Sequence, residues 1–174
     1  GKLSPAETVN YAIQATLALN HIAAAGIIHR DLKPGNLMIT KYDDSEQIKI
    51  LDFGLVAIAG DGDGESATRL TKTGYTLGTP RYLSPEQSQS AKVTASADLY
   101  SLGVILYEML AGAAPFVGDM KTVIMQHLCE TPPPLAPADG LEVVAQSLLE
   151  KEPEHRPESA SAVVKIIDEL AGNI

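Results

Sequence analysis

The chain has 174 residues, 45% of them hydrophobic and 20% charged, which fits one globular domain and argues against a disordered tail or a fibrous repeat. Its 13 basic and 22 acidic residues give a net charge of −9, which disfavours nucleic acid as a partner and direct contact with an anionic membrane. The single cysteine, Cys129, cannot form an internal disulfide, so we expect a reducing, cytoplasmic location with Cys129 in the core.

The first predicted element is a helix over about residues 5–25. Ser4, Pro5 and Glu7 match an N-cap serine, a first-turn proline and a capping-box glutamate. Apolar residues then recur at three- and four-residue spacing until Gly26, which suits a left-handed C-cap. The pattern therefore indicates an amphipathic helix at the start of the chain.

Two short strands are predicted next, at residues 37–40 and 47–51. The intervening residues 41–45 are rich in turn formers, so the strands should pair as an antiparallel hairpin. Asn36 precedes the first strand and Asp52 follows the second. Antiparallel pairing brings both to the same open end, separated by about the 5 Å strand spacing, so two oxygen ligands are expected to share a site.

Loops are predicted on both sides of this hairpin. Residues 29–36 include Pro34 and Gly35, which argue against a regular element there. Residues 53–85 show weak periodicity and many glycine, threonine and aspartate residues. We therefore expect a long mobile loop in that region, of the kind that usually has a function.

The rest of the chain is predicted to be helical, over about residues 94–110, 119–129, 139–150 and 158–171. The apolar stretch at 97–111 contains polar residues and is shorter than the ~20 residues that span a bilayer, so it predicts a buried core helix. No secretory signal pattern is present, and membrane tethering by other residues stays open. The fold class is mainly α with a small antiparallel β-hairpin.

Two loop segments supply the groups that phosphoryl transfer needs. That reaction requires a carboxylate to orient the attacking hydroxyl, cations on the phosphates and oxygen ligands for magnesium. All three occur in His-Arg-Asp-Leu-Lys-Pro-Gly-Asn at residues 29–36 and Asp-Phe-Gly at residues 52–54. These segments resemble the catalytic loop and the magnesium loop of eukaryotic-type (Hanks-type) protein kinases.

Further motifs follow in the order of that family. Residues 78–86 resemble the end of its activation segment, which would cover 52–86, and residues 98–103 and 156–157 match later motifs. Within these motifs, Lys-Pro-Gly-Asn and Tyr-Leu-Ser-Pro-Glu-Gln are more similar to bacterial serine/threonine kinases than to animal ones. The resemblance implies that residues 1–174 form the large C-terminal lobe of the protein kinase-like fold, an α+β family.

The resemblance also implies a role for each polar residue of the two loops. Asp31 would accept the proton of the substrate hydroxyl, and Lys33 would neutralise the phosphoryl group of ATP. Asn36 and Asp52 would hold Mg²⁺, with Mn²⁺ as a substitute. The alternative is that Asp31 is a turn former and Asp52 an ordinary strand-end residue, which the joint spacing and order of the motifs disfavour.

Regulation by phosphorylation is suggested by Arg30, because a guanidinium beside the catalytic base can bind a phosphate bidentately. The favoured acceptors are Thr71 and Thr73, and the alternative is that they are only solvated loop threonines. In the family, the threonine at the position of Thr79 contacts the catalytic residues, so we expect it to support the activation segment.

Other matching residues are interpreted as scaffold. Asp98 would cap backbone amides of the catalytic loop, and Glu86 would form an ion pair with Arg156. His29 is expected to be a buried, hydrogen-bonded histidine and not the general base.

The sequence also departs from the family. Nothing in it matches the family's glycine-rich loop, the strand lysine that binds the α- and β-phosphates, or the helix glutamate that pairs with this lysine. We expect an absent N-terminal lobe, a protein substrate with a serine or threonine acceptor, and negligible turnover by this chain alone. The alternatives are a non-catalytic docking or scaffold module and a small-molecule kinase of the same fold.

Overall fold

A computed structural model of the chain describes residues 3–43, 45–52, 57–58, 80–89 and 91–171. The first helix, α1 (Pro5–Ala24), begins with the predicted capping box, in which Ser4 Oγ accepts from the Glu7 amide and the Glu7 carboxylate accepts from the Ser4 amide. Gly26 follows it with φ +71°, a left-handed conformation that glycine adopts without strain. The helix predicted from capping and periodicity is therefore present.

The predicted hairpin consists of β2 (Leu37–Tyr42) and β3 (Ser45–Ile50), which pair antiparallel. The strands extend further into the connection than predicted. The reason is a tight turn, in which Asp43 takes φ +50°, a conformation that aspartate tolerates better than most residues. At the open end, the Leu51 amide donates to the Asn36 carbonyl at 2.8 Å.

The described parts of the two predicted loops contain short regular elements, which corrects the sequence prediction there, while residues 53–56 and 59–79 of the predicted mobile loop lie outside the described residues. Within residues 29–36, Pro34–Asn36 form one turn of 3-10 helix, which proline's fixed φ suits at its first position. Within residues 53–85, β4 (Ala57–Ile58) pairs antiparallel with β1 (Ile27–Ile28), and Pro80–Tyr82 form a second 3-10 turn. Elements of two or three residues carry no periodicity from which they could be predicted.

The remaining helices are α2 (Pro85–Ser88), α3 (Ser96–Ala111), α4 (Met120–Cys129), α5 (Leu141–Leu148) and α6 (Ala160–Ala171), with a 3-10 turn at Pro153–His155 between the last two. Helices α3 to α6 begin and end within two residues of the predicted boundaries. Helix α2 was not predicted, because it lies at the end of the long loop.

The core is built around α3, which is buried on nearly every face of its first three turns. It packs against α1 and α5, which both pack against α6, and the buried cluster includes Leu102, Leu106, Leu148 and Ile167. The approach to α5 is close at Gly103, where an added Cβ would lie 2.7 Å from the Leu148 Cβ. Helix α3 therefore provides a closely packed support for the loops at its N-terminal end.

The fold class is as predicted, mainly helical with small antiparallel sheets. Cys129 corrects one expectation, because it is exposed and not in the core. On α4, Val123 and His127 are buried at a spacing of four residues, so a residue two positions after His127 lies on the opposite side of the helix. Among the described residues, no helix is both long and apolar enough to cross a membrane.

Candidate active site

The backbone of residues 29–36, the predicted catalytic loop and called the catalytic loop below, is held by Asp98, in the first turn of α3. Its two carboxylate oxygens accept hydrogen bonds from the His29 and Arg30 amides, both at 2.8 Å. Burial raises the pKa of Asp98 above its ordinary value, and the hydrogen bonds from the two backbone amides oppose that rise. The contact joins two consecutive loop amides to the buried helix.

His29 connects the catalytic loop to the open end of the hairpin. Its ring is fully buried, Nδ1 accepts from the Asp31 amide at 3.3 Å, and Nε2 lies 3.0 Å from the Leu51 carbonyl. Because Nδ1 is an acceptor, the ring proton lies on Nε2, which donates to that carbonyl. His29 therefore sets the position of Asp31 relative to the residue that precedes Asp52.

Asp31, Lys33 and Asn36 form a contact cluster. Lys33 Nζ lies 2.7 Å from Asp31 Oδ2, and Asn36 Nδ2 donates to the Asp31 carbonyl at 2.8 Å and to Oδ2 at 3.3 Å. In the described part of the chain, both side-chain contacts fall on Oδ2, which leaves Oδ1 to accept a proton from another molecule. The Asp31 side chain is 38% exposed, so a substrate hydroxyl could reach it.

Asn36 and Asp52 are the candidate metal ligands. Asn36 is buried, and because its amide nitrogen is committed to Asp31, its Oδ1 is the atom that remains to bind a cation. Asp52 follows β3 at the same end of the hairpin and is exposed. A carboxylate and an amide oxygen are the hard donors that suit Mg²⁺, which completes its shell with water and phosphate oxygens. Across the described ranges, no group of three His, Cys, Asp or Glu side chains offers another metal site.

Two residues of the site have left-handed backbone conformations that side chains disfavour. Arg30 has φ +66° and Asp52 has φ +58°. Such conformations cost on the order of 1–3 kcal/mol each and persist only where the surroundings hold them, most often at functional sites. At Arg30 the amide is held by Asp98, and the carbonyl accepts from Gln87 Nε2 at 2.7 Å.

The Gln87 contact is a part of the site that the sequence did not reveal. Gln87 occupies the N3 position of α2, and its Oε1 accepts from the Ser84 amide and hydroxyl, both at 3.1 Å. A capping contact between Ser84 and Gln87 is local to one turn, and nothing in the sequence shows that the side-chain nitrogen of Gln87 reaches Arg30. Through Gln87, residues 80–89 are connected to the catalytic loop.

Glu86 and Arg156 form a buried bidentate ion pair. Arg156 Nη1 and Nη2 lie 2.7 and 2.9 Å from the two Glu86 oxygens. The remaining guanidinium donors bind the backbone carbonyls of Ser96, Glu150 and Lys151. The pair therefore joins α2, α3 and the chain before α6.

The structure brings together the predicted residues of the catalytic loop. It also places Asp98 in contact with that loop and Arg156 in contact with Glu86 on α2. Several predicted positions lie outside the described residues: Phe53 and Gly54 of the magnesium loop, the candidate acceptors Thr71 and Thr73, and Thr79.

Residues 1–166 of the chain match the protein kinase domain family. The chain is 42% identical over 158 residues to the DNA damage-responsive serine/threonine-protein kinase RqkA of Deinococcus radiodurans. This alignment covers 87% of the present chain and 22% of RqkA. The chain is 40% identical over 167 residues to the serine/threonine-protein kinase PknB of Mycobacterium tuberculosis. That alignment covers 92% of the present chain and 26% of PknB. The chain thus spans about a quarter of the length of the curated relatives it matches.

Proposed function

Because the chain belongs to the protein kinase domain family, we propose that it supplies the catalytic base, a phosphate-binding lysine and the metal ligands of a bacterial serine/threonine protein kinase. The proposed reaction transfers the γ-phosphoryl group of ATP to a serine or threonine hydroxyl of a protein. The observation that carries the proposal is the convergence of Lys33 and Asn36 on one oxygen of Asp31. The names of relatives at 39–42% identity support serine and threonine as acceptors.

Asp31 would act as the base for the acceptor hydroxyl. With Oδ2 held by Lys33 and Asn36, the carboxylate is fixed in orientation and Oδ1 faces the acceptor. Positioned proton acceptors contribute about 10²–10⁴ in rate. Lys33, 36% exposed and beside the base, would place its ammonium against the transferred phosphoryl group and offset its negative charge.

Asn36 Oδ1 and the Asp52 carboxylate would hold Mg²⁺, or Mn²⁺ in its place, on the ATP phosphates. When bound, the cation neutralises charge on the phosphates during transfer. The chain's own contribution is to fix these two ligands at one end of the hairpin. The Asn36 carbonyl is bonded to the Leu51 amide, and the Asn36 amide nitrogen is held by Asp31.

A protein acceptor is favoured by the segment at residues 80–89, which Gln87 ties to the carbonyl of Arg30, next to Asp31. An extended substrate chain laid along this segment would bring its hydroxyl to the base. We place this segment at the end of an activation segment over residues 52–86. In it, a phosphate on Thr71 or Thr73 would be bound by Arg30, and Thr79 would support the catalytic residues.

We also propose that residues 1–174 form the large lobe of the kinase and that a small lobe completes the ATP site. The sequence contains neither a glycine-rich phosphate loop nor the strand lysine that binds the α- and β-phosphates. Intact Asp31, Lys33, Asn36 and Asp52 argue against a purely non-catalytic scaffold, because docking gives no reason to keep a metal and proton-transfer site.

Phosphate transfer from labelled ATP to myelin basic protein tests the proposed function. In a longer form of the protein that also carries a glycine-rich loop and a strand lysine, we expect labelling that Asp31→Asn lowers about 10²–10⁴-fold. Asp43→Asn, a change in the hairpin turn, is the matched control and should keep full activity. Equal activity of D31N and D43N would refute the assignment of the base. The 174-residue chain alone should label the substrate negligibly, and Asp31-dependent labelling by it would show that no small lobe is needed.

Binding of Mn²⁺ with ATP to the 174-residue chain tests the metal ligands without turnover. Bound Mn²⁺ broadens nearby NMR signals, so the Asn36 side-chain amide and the Asp52 backbone amide should broaden before those at the far end of the hairpin. Asp52→Asn should abolish this selectivity, because the amide removes the anionic ligand. Asp43→Asn should leave it unchanged. Broadening that begins at the exposed carboxylates near Asp43 would place the cation elsewhere.

A further inference from the structure

His127, on the inner face of α4, makes a chain of hydrogen bonds that the proposed reaction does not use. The residue is 1% exposed, its Nδ1 lies 2.8 Å from the Tyr100 hydroxyl, and its Nε2 lies 2.9 Å from the Arg81 carbonyl. Lys151 Nζ donates to the same tyrosine oxygen at 3.4 Å, so the tyrosine proton is directed to Nδ1. The histidine is therefore neutral, with its own proton on Nε2 and donated to Arg81.

The Arg81 carbonyl belongs to the 3-10 turn that precedes α2. Inside this turn the Leu83 amide donates to the Pro80 carbonyl at 3.1 Å. From the core side, Ser101 Oγ donates to the Tyr82 carbonyl at 2.7 Å. Two buried side chains, one on α3 and one on α4, thus hold consecutive carbonyls of the 80–83 segment.

We propose that His127 is a positioning residue for the protein substrate, because its Nε2–H holds the 80–83 segment in the shape that receives the chain around the acceptor hydroxyl. This inference rests on the proposed kinase function, since only a protein acceptor would lie along that segment. The segment runs directly into α2, where Gln87 contacts the catalytic loop. A displacement at Arg81 would therefore shift the substrate surface relative to Asp31, while the metal ligands on the hairpin would stay in place.

The surroundings of His127 disfavour a second proton on its ring. The charged and titratable groups around it are Lys151, Tyr100 and, through Tyr100, the Arg156–Glu86 pair. Phe116 covers the ring edge-on, with 4.9 Å between ring centroids. Burial first, and then Lys151, lower the pKa of His127 to about 4, although the bond to the Arg81 carbonyl opposes the shift. The ring is therefore neutral at physiological pH. In acid a second proton on Nδ1 would remove the acceptor of the Tyr100 hydroxyl, while Nε2–H would remain a donor.

Two substitutions separate the hydrogen bond from the packing. His127→Phe keeps a ring against Phe116 but leaves the Arg81 carbonyl without its donor. His127→Gln can place an amide N–H near the position of Nε2 and an oxygen toward Tyr100, and it does not titrate. The proposal therefore predicts that H127Q rescues what H127F loses.

Amide hydrogen exchange in the 174-residue chain tests the hold on the segment without any need for activity. Leu83 reports the turn, and Gly112, whose amide donates to the Glu108 carbonyl, reports a distant helix end. In H127F, exchange at Leu83 should rise about tenfold relative to Gly112, and in H127Q by less than about threefold. Equal changes at the two amides, or an H127Q that behaves like H127F, would overturn the proposal.

Steady-state kinetics in the longer, active form tests the link to substrate. H127F should raise KM for myelin basic protein about tenfold while kcat and KM for ATP stay within about twofold, and H127Q should restore KM. A loss of kcat with unchanged KM would overturn the positioning role. Absence of any Asp31-dependent transfer would refute the proposed function itself, and the exchange data would still show whether His127 holds the segment.

Discussion

At the scale of single residues, Arg156 shows why a buried charge in this protein needs several partners at once. Its guanidinium binds both oxygens of Glu86 and three backbone carbonyls, and it stacks over the Tyr100 ring at 4.9 Å. Removing an ion from water costs several kcal/mol, which a single partner rarely recovers. Because every donor of the guanidinium is satisfied, the cation can stay buried and connect three elements.

Breaking this pair should destabilise the whole chain. Glu86→Gln keeps the shape of the side chain but removes the charge that compensates Arg156, so we expect a loss of about 3–5 kcal/mol in the free energy of unfolding, measured with urea. Lys41→Ala is the control, since its pair with Glu46 is exposed, and it should change the free energy by less than about 0.5 kcal/mol. A loss below about 1 kcal/mol in E86Q would contradict this account of the pair.

Residue contacts differ in how far the sequence alone could specify them. Asn36 and Asp52 could be placed at one end of the hairpin because strand pairing is local and its direction follows from the turn. The contacts of Gln87 with Arg30 and of His127 with Arg81 join residues 57 and 46 positions apart. No periodic or capping signal encodes such contacts, since they depend on how separate helices pack.

At the scale of elements, the distance between α3 and α5 is set by Gly103. The helices approach so closely that an added Cβ would lie 2.7 Å from the Leu148 Cβ and 3.2 Å from the Leu148 backbone carbonyl carbon. Neither atom can move without shifting α5 as a unit. The close packing of α3 against α5 therefore requires the lack of a side chain at Gly103 as well as the leucines around it.

Gly103→Ala should destabilise the protein although alanine favours helices. Overpacking costs about 1–3 kcal/mol, while the gain in helix propensity is at most about 1 kcal/mol, so we expect a net loss of about 1–2 kcal/mol by urea unfolding. Gly35→Ala is a matched control, because nothing lies within 4 Å of its added Cβ and its φ is not positive. A G103A variant as stable as G35A would show that the two helices can separate without cost.

The long helices were predictable from sequence, whereas the short elements were not. Helices α1 and α3 to α6 show caps, glycine stops or apolar periodicity over ten or so residues. The β1–β4 bridge pairs Ile27 with Ile58, two positions that no local pattern relates. Helix α2 has only four residues and is held in place by Glu86 and Gln87, so its stability comes from tertiary contacts.

At the scale of the whole molecule, two cations of an acidic chain lie where they hold elements together. The net charge is −9, yet Arg156 and Lys151 lie inside a cluster with Tyr100, Phe116 and His127. Burial first, and then Arg156, lower the pKa of Lys151 to about 8, so this ammonium is charged at neutral pH. The cluster therefore already contains two positive charges when His127 is neutral, and these disfavour a third on the histidine ring.

This arrangement predicts a stability that falls in mild acid. The folded-state pKa of His127 is about 4, below its ordinary 6.5, so between these values the unfolded chain binds a proton that the folded chain does not. The contribution of His127 to the free energy of unfolding is fully present above about pH 6.5. It falls by about 3 kcal/mol as the pH drops toward 4, and it levels off below that pH. Urea unfolding of the wild type and of His127→Gln, at matched pH values between about 7 and 4, isolates it, because carboxylates titrate alike in both proteins. The free-energy difference between the two proteins should shrink or change sign as the pH falls, and parallel curves would mean that His127 takes up a proton in the folded cluster as readily as in water.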